Sequence, residues 1–209
     1  MIMDDINLLK RLHTKYMFRA PLVDLGGLET PNVADYQISI RKALTVQVEG
    51  RMVKVPHPDQ NDRYCPIHRP WGFIDPLYTI INPEYGHPPI EELPRQYRDH
   101  FGLAIMVSVF EHVENPYTVS DAIFKIIKPG GYLFNSTPFI FPYHPSPEDN
   151  FRYAPKALER IHKASGFEYI EGGFHAQYRS SDGVGDTNSE RYLDPQGMAF
   201  SYALVRKPG

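Results

Sequence analysis

The chain predicts an α/β fold, a doubly wound and mostly parallel sheet within one domain, and three observations predict it. An apolar run, Leu103 to Val109, has the length and β-branched content of a strand buried on both faces. After it, Val119, Ala122, Ile123, Ile126 and Ile127 fall at i, i+3, i+4, i+7 and i+8, the stripe of a helix laid on a sheet. Lys128-Pro-Gly-Gly131 then stops the helix, and Tyr132 to Thr137 reads as the next strand, ended by Pro138. Strand, helix and strand in this order make one right-handed crossover unit.

Size and composition narrow the class. At 209 residues the chain is read as a single domain over 1–209, with an irregular proline- and aromatic-rich insertion at about 50–100. Hydrophobic content of 42% and charged content of 22% exclude a disordered chain. A net charge of -3 without a basic run leaves no footprint for nucleic acid. The single cysteine, Cys65, rules out an internal disulfide and fits a reducing cytoplasm. No apolar run approaches the ~20 residues that span a bilayer, and Asp4 and Asp5 interrupt any leader-like core. The expectation is a soluble cytoplasmic protein with no membrane partner.

From the amino terminus, Asp4 to Phe18 predicts a helix with Leu8, Leu9, Leu12 and Tyr16 on one face and Asp4 and Asp5 at its positive end. Pro21 to Leu28 reads as a short buried strand ending in the Gly26-Gly27 turn, where backbone can approach a ligand closely. Asp24 ends that strand. No Gly-x-x-x-x-Gly-Lys-Ser/Thr or Gly-x-Gly-x-x-Gly run is present, which argues against ATP and nicotinamide cofactors. Gln37 to Ile40 and Ala43 to Val48 alternate like strands, but prolines break any long element between 56 and 89. Cys65 and His68 have a zinc-like spacing, yet two ligands without a second pair make no structural site, and no metal is assigned. Trp71, Phe73 and Tyr78 line either a pocket or the core.

Glu111 and His112 follow the buried strand directly, at the edge where open parallel sheets bind ligands. Thr118-Val-Ser-Asp121 has the form of a capping box. Phe139 to Tyr153 is a proline-stiffened aromatic loop leaving from the same edge. There His144, Asp149 and Arg152, with Tyr143 stacking, are candidate contacts to a polyol or acidic substrate; alternatively Asp149 and Arg152 pair to hold the loop. Pro155 opens a helix over Lys156 to Ser165, ended by Gly166. Phe167 to Ile170 is a further strand, His175 to Asn188 a polar loop, and Met198 to Arg206 a final strand.

The runs Val107-Ser-Val-Phe-Glu-His-Val-Glu-Asn-Pro116, Ile127-Lys-Pro-Gly-Gly-Tyr-Leu133 and Ser136-Thr-Pro138 resemble the second half of class I S-adenosylmethionine-dependent methyltransferases. His144-Pro-Ser-Pro-Glu-Asp-Asn-Phe-Arg-Tyr153 and Ala164-Ser-Gly-Phe167 resemble members acting on sugars and other small metabolites. The resemblance implies a seven-stranded sheet whose last strand is antiparallel, and S-adenosylmethionine as cofactor. It implies cofactor contacts from Asp24, Gly26, Gly27, Glu92, Ser108, Phe110 and Glu111. Asp75 is the first candidate for the ribose-binding acid and Glu49 the second. The family's acid-x-Gly-x-Gly-x-Gly is matched only at Asp24 and Gly26; Leu28 and Thr30 stand where further glycines are expected.

The activity implied is methyl transfer to a small molecule, with O-methylation of a sugar or other hydroxylated metabolite first. Such an acceptor must lose a proton as the bond forms, and histidine is the natural base near neutral pH. His112 and His144 are the two candidates, with Glu111 or Asp149 to orient whichever acts. The alternative is a cofactor-free scaffold of the same fold that binds a ligand or protein partner. Dimerisation stays open.

Overall fold

A computed structural model of the chain describes residues 3–26, 45–48, 51–54, 78–83, 86–145, 148–177 and 198–209. Gly27, Glu49, Cys65, His68, Trp71, Phe73 and Asp75, all named above, lie outside the described residues.

The main sheet has six strands among the described residues, in the order β4-β1-β5-β6-β8-β7. They are β1 (Leu22–Leu25), β4 (Tyr78–Ile81), β5 (Phe101–Val107), β6 (Ile127–Ile140), β7 (Glu168–Gln177) and β8 (Met198–Arg206). Pairing is parallel from β4 through β1 and β5 to β6, and antiparallel between β6 and β8 and between β8 and β7. A separate antiparallel pair, β2 (Thr45–Val48) and β3 (Arg51–Lys54), stands apart from this sheet. The seventh strand of the expected sheet is not found among the described residues. Beyond β4, Pro83, Pro88, Pro89 and Pro94 deny ladder donors to the chain, which forms a short 3-10 helix, Ile90–Arg95, instead.

Alternation along the strands divides the core into two layers. Val23, Leu25, Ala104, Met106 and Leu133 face α2 (Pro116–Ile126), α3 (Pro155–Ala164) and the 3-10 helix. Leu22, Leu103, Ile105, Phe134 and Leu204 face Leu8, Leu9 and Leu12 of α1 (Met3–Tyr16). Helices therefore cover both faces, as a mostly parallel sheet requires.

Several expectations are corrected in detail. Helix α2 starts before the Thr118 capping box: Asn115 is the cap, its side chain accepting from the amides of Tyr117 and Thr118 at 3.1 and 3.2 Å. Pro116 has no amide to leave unpaired and a preset φ, so the first turn begins there. β6 runs past Pro138 to Ile140, because beyond Ser136 its only strand partner among the described residues is β8, an edge setting that tolerates proline. β7 extends to Gln177, so His175 lies in a strand opposite Phe200 and is buried. Asp5 is no solvent-facing helix charge either. It is fully buried, accepting from Ser136 Oγ at 2.7 Å beside His175 Nε2 at 3.2 Å, and so pins α1 to the sheet.

Candidate functional site

Three parallel strands end side by side: β4 before Asn82, β1 before Gly26, and β5 before Ser108. The register sets Asp24 opposite Ile80 and Ile105, so its buried carboxylate lies near this edge. Gly26 turns with φ +81° and donates its amide to the Ile81 carbonyl at 2.8 Å. A Cβ on Gly26 would come within 2.3 Å of Val109 Cγ2, so the β1 and β5 ends close on each other only around a glycine. Asn82 is buried at the end of β4, its amide reaching the Gly26 carbonyl at 3.5 Å. Sequence reasoning sought an acid for this position and passed over Asn82; once β4 is placed at Tyr78–Ile81, the residue after the strand is the one to read.

At the end of β5 the chain breaks sharply, with Ser108 at φ +54° and its amide on the Ser136 carbonyl at 2.9 Å. Phe110 turns back into the core against Tyr153 and His162, fully buried, leaving only its backbone for a ligand. Glu111 is fully buried too. Thr137 Oγ1 donates to its Oε2 at 3.0 Å, a support the strand-ending Ser-Thr-Pro run carries but sequence reasoning left unassigned. Glu111 Oε1 lies 3.6 Å from His112 Nε2 and 3.8 Å from His144 Nε2, and has no hydrogen-bond partner among the described residues. Burial holds the Glu111 carboxyl above its ordinary range, opposed by its backbone hydrogen bond, the nearby His112, Thr137 and His144.

His144 comes from the loop after β6, which is tied down over this turn. Asn150 and Phe151 both donate their amides to the Glu111 carbonyl, at 2.8 and 3.2 Å, and Asn150 Nδ2 donates to the His112 carbonyl at 3.3 Å. The two imidazoles meet edge to face with centroids 5.1 Å apart. Each is fixed through Nδ1: that of His112 on the Glu148 carbonyl, that of His144 at 3.0 Å from Asp149 Oδ2. Asp149 also accepts the His144 amide at 2.9 Å, and its carboxyl is held well below the usual range by hydrogen bonds from Arg152.

The site residues expected from sequence thus fall into groups. Glu111, His112, His144 and Asp149 are brought into one cluster at the carboxyl edge. Asp24, Gly26 and Ser108 lie on the same edge. Arg152 is engaged within the loop, with Asp149 Oδ2 at 2.7 Å and the Phe141 and Pro142 carbonyls at 3.5 and 3.3 Å. Tyr143 is 73% exposed, and Glu92 sits exposed on the 3-10 helix 3.7 Å from Arg95.

The chain's likeness to known proteins agrees with this architecture. Residues 75–135 match the family model described as a methyltransferase domain. A ubiquinone biosynthesis O-methyltransferase of Acinetobacter baylyi is 33% identical over 58 residues, 28% of this chain and 24% of that protein. The Yersinia pestis enzyme of the same name is 33% identical over 61 residues, 29% of this chain and 25% of that one. The chain spans about a quarter of the length of the curated relatives it matches. Among solved structures, 1,6-didemethyltoxoflavin-N1-methyltransferase of Burkholderia thailandensis, with S-adenosylhomocysteine bound, aligns over 96% of this chain and 76% of its own, with TM-score 0.52 and 15% identity. The 4+2 cyclase SpnF aligns over 97% and 80%, with TM-score 0.52 and 15% identity. These structures share the fold. Among the described residues, no helix is long and apolar enough to cross a membrane.

Proposed function

We propose that the chain moves a methyl group from S-adenosylmethionine to a hydroxyl of a small metabolite, a sugar first among candidates; the fold it shares with a methyltransferase of known structure and the methyltransferase-domain match over residues 75–135 support this reading. The observation that carries this reading is the Glu111–His112–His144 cluster on the same strand edge as Asp24, Gly26 and Asn82.

The residues present fit the cofactor. A buried carboxylate and a buried amide end neighbouring strands, suited to a methionine amino group and to ribose hydroxyls respectively. The sequence offers no phosphate cradle, and an adenosyl sulfonium needs none. When bound, S-adenosylmethionine supplies a methyl group on an excellent leaving group, so the protein's task is alignment and exclusion of water. Asp24 accepts from the amino group, Asn82 takes the ribose in place of the expected acid, and the backbone from Ser108 to Phe110 lines the edge between them. His144 receives the acceptor's proton at Nε2, with Asp149 orienting the ring through Nδ1 and stabilising the imidazolium that results. His112, less exposed, serves as the neighbouring wall.

Calorimetric titration with S-adenosylhomocysteine tests the cofactor half, and no heat at millimolar ligand ends it. For the base, His144→Ala should lower turnover at saturating cofactor by about 10²–10⁴-fold and His112→Ala by less. Full rate in both variants would leave alignment alone as the source of catalysis. A second reading, a scaffold that binds without transferring, draws on the Gly26 turn, which is already filled by Val109. It predicts ligand binding with no methylated product from any acceptor, and SpnF, a cyclase by name, shares the fold.

A further inference from the structure

We propose that Glu111, His112 and His144 form a binding site for one divalent transition-metal ion of the zinc class, whether or not the chain transfers methyl groups. One oxygen of Glu111 and one nitrogen from each histidine lie within 4.8 Å of one another. Bonds of about 2.0–2.2 Å to a tetrahedral ion set ligand atoms roughly 3.4 Å apart. The 3.6 and 3.8 Å from Glu111 Oε1 to the two Nε2 atoms need only a small contraction to reach that, and the two ring nitrogens lie within 4.8 Å of each other.

Two independent features point to a cation at this spot. Glu111 Oε1 belongs to a side chain with no exposure at all, yet has no hydrogen-bond partner among the described residues, while Oε2 is satisfied by Thr137. A buried carboxylate oxygen left bare is unfavourable, and an ion is one of the few things that accounts for it. The second feature is the tautomer. His112 Nδ1 faces the Glu148 carbonyl and His144 Nδ1 faces the Asp149 carboxylate, groups that only accept, so each Nδ1 carries the hydrogen. In the neutral form of each ring, Nε2 then turns a lone pair toward Glu111 Oε1. Three electron-rich atoms then face one another, an arrangement relieved by a proton or a cation, and only a cation is held by all three at once.

The supporting contacts are those of a metal centre. Metal-ligating imidazoles characteristically donate their other nitrogen to a carbonyl or carboxylate, and here one does each. Asp149 is in turn gripped by Arg152, and the Glu111 backbone by the amides of Asn150 and Phe151. Two imidazoles and a carboxylate suit zinc, cobalt or nickel, and suit calcium or magnesium poorly. Three protein ligands leave a coordination position open. The His144 side chain, 32% exposed, marks where a ligand from solvent would enter. Coordination uses the same lone pair of His144 that base catalysis would use, so the base role proposed above belongs to the ion-free protein.

The test uses the full chain stripped by chelator and titrated with Co²⁺ and Zn²⁺, followed by the cobalt visible spectrum and by calorimetry. One equivalent should bind, with cobalt bands of four- or five-coordinate geometry. Glu111→Gln and His144→Ala should each weaken binding by about 100-fold or more, and Asp149→Asn by roughly 10–100-fold through ring orientation. Cys65→Ser should change nothing. His144 lies on a part-exposed loop; should its variant melt early, His112→Ala and Asp149→Asn read the same affinity. The proposal is overturned if neither ion binds at ~100 µM, if affinity survives His144→Ala, or if it is lost in Cys65→Ser. Titrating S-adenosylhomocysteine in parallel separates the two readings: nucleoside binding without metal removes only the ion site, and metal binding without nucleoside removes only the methyl-transfer reading.

Discussion

Two histidine clusters in this protein use similar chemistry to opposite ends. His162 on α3 is fully buried, and both its nitrogens are satisfied: Asn135 Nδ2 donates to Nε2 at 3.1 Å, and Nδ1 meets Ser120 Oγ at 2.9 Å. Burial pushes its imidazole down to about 3, so it stays neutral and ties α2, α3 and β6 together. Among the described residues, His112 and His144 are satisfied only at Nδ1, and both aim Nε2 at a carboxylate oxygen that has no donor. A ring engaged at both nitrogens holds a fold; a pair of rings each engaged at one nitrogen leaves the other for a further partner. The separating features are exposure, none for His162 against 17% and 32% for the side chains of His112 and His144, and whether both ring nitrogens are engaged.

Crossing the two clusters by mutation is the strongest way to break this contrast. His144→Ala should lose turnover by about 10²–10⁴-fold with little change in unfolding midpoint. His162→Leu should do the reverse, costing roughly 2–4 kcal/mol in denaturant unfolding by taking the ring partner from Asn135 Nδ2 and Ser120 Oγ, while ligand affinity holds. If His162→Leu abolishes activity in a protein that is still folded, the division between the clusters is wrong.

Acidification sharpens the comparison further. The His162 pKa is depressed in the folded state, from an ordinary value of 6.5 to about 3. Below 6.5 the unfolded chain therefore binds a proton that the native protein refuses, and stability falls as pH drops from there toward 3. By pH 4.5 the loss from this group is on the order of 2–3 kcal/mol. Buried His175 is also depressed, burial outweighing Asp5, and adds with the same sign. Urea unfolding between pH 7 and 4.5 should show that slope, and His162→Leu should flatten it. The smallest effect lies outside both clusters: Asn115→Ala removes the α2 cap and should cost about 1 kcal/mol.

What could be read in advance followed from periodicity. The apolar run from Leu103 lies in β5 as far as Val107, and the stripe from Val119 lies in α2 as far as Ile126, while Val109 falls beyond the strand and Ile127 opens β6. His175 was hidden because a polar residue flanked by Phe174 and Ala176 looks like a loop until β8 is there to pair with it. Asp5 was read as a dipole partner because nothing local shows that Ser136, far along the chain, supplies its hydrogen bond. His162 falls at i+4 from Leu158 on a buried helical face, a pattern visible in hindsight but common to many inert histidines. In the candidate site, Glu111 and His112 announce themselves by adjacency to the strand. That His144 faces them, and that one oxygen is left bare, depends on the loop's path.

The amides of Asn150 and Phe151 bind the loop to the Glu111 carbonyl, and this has a mechanical consequence. Two segments that each carry reactive atoms are clasped backbone to backbone, so neither can swing aside alone. Admission of a bulky acceptor then requires either docking against a rigid rim or release of both latches together. Hydrogen–deuterium exchange at those two amides distinguishes the cases: matched, concerted rates report a hinged cover, and strong shared protection reports a fixed aperture.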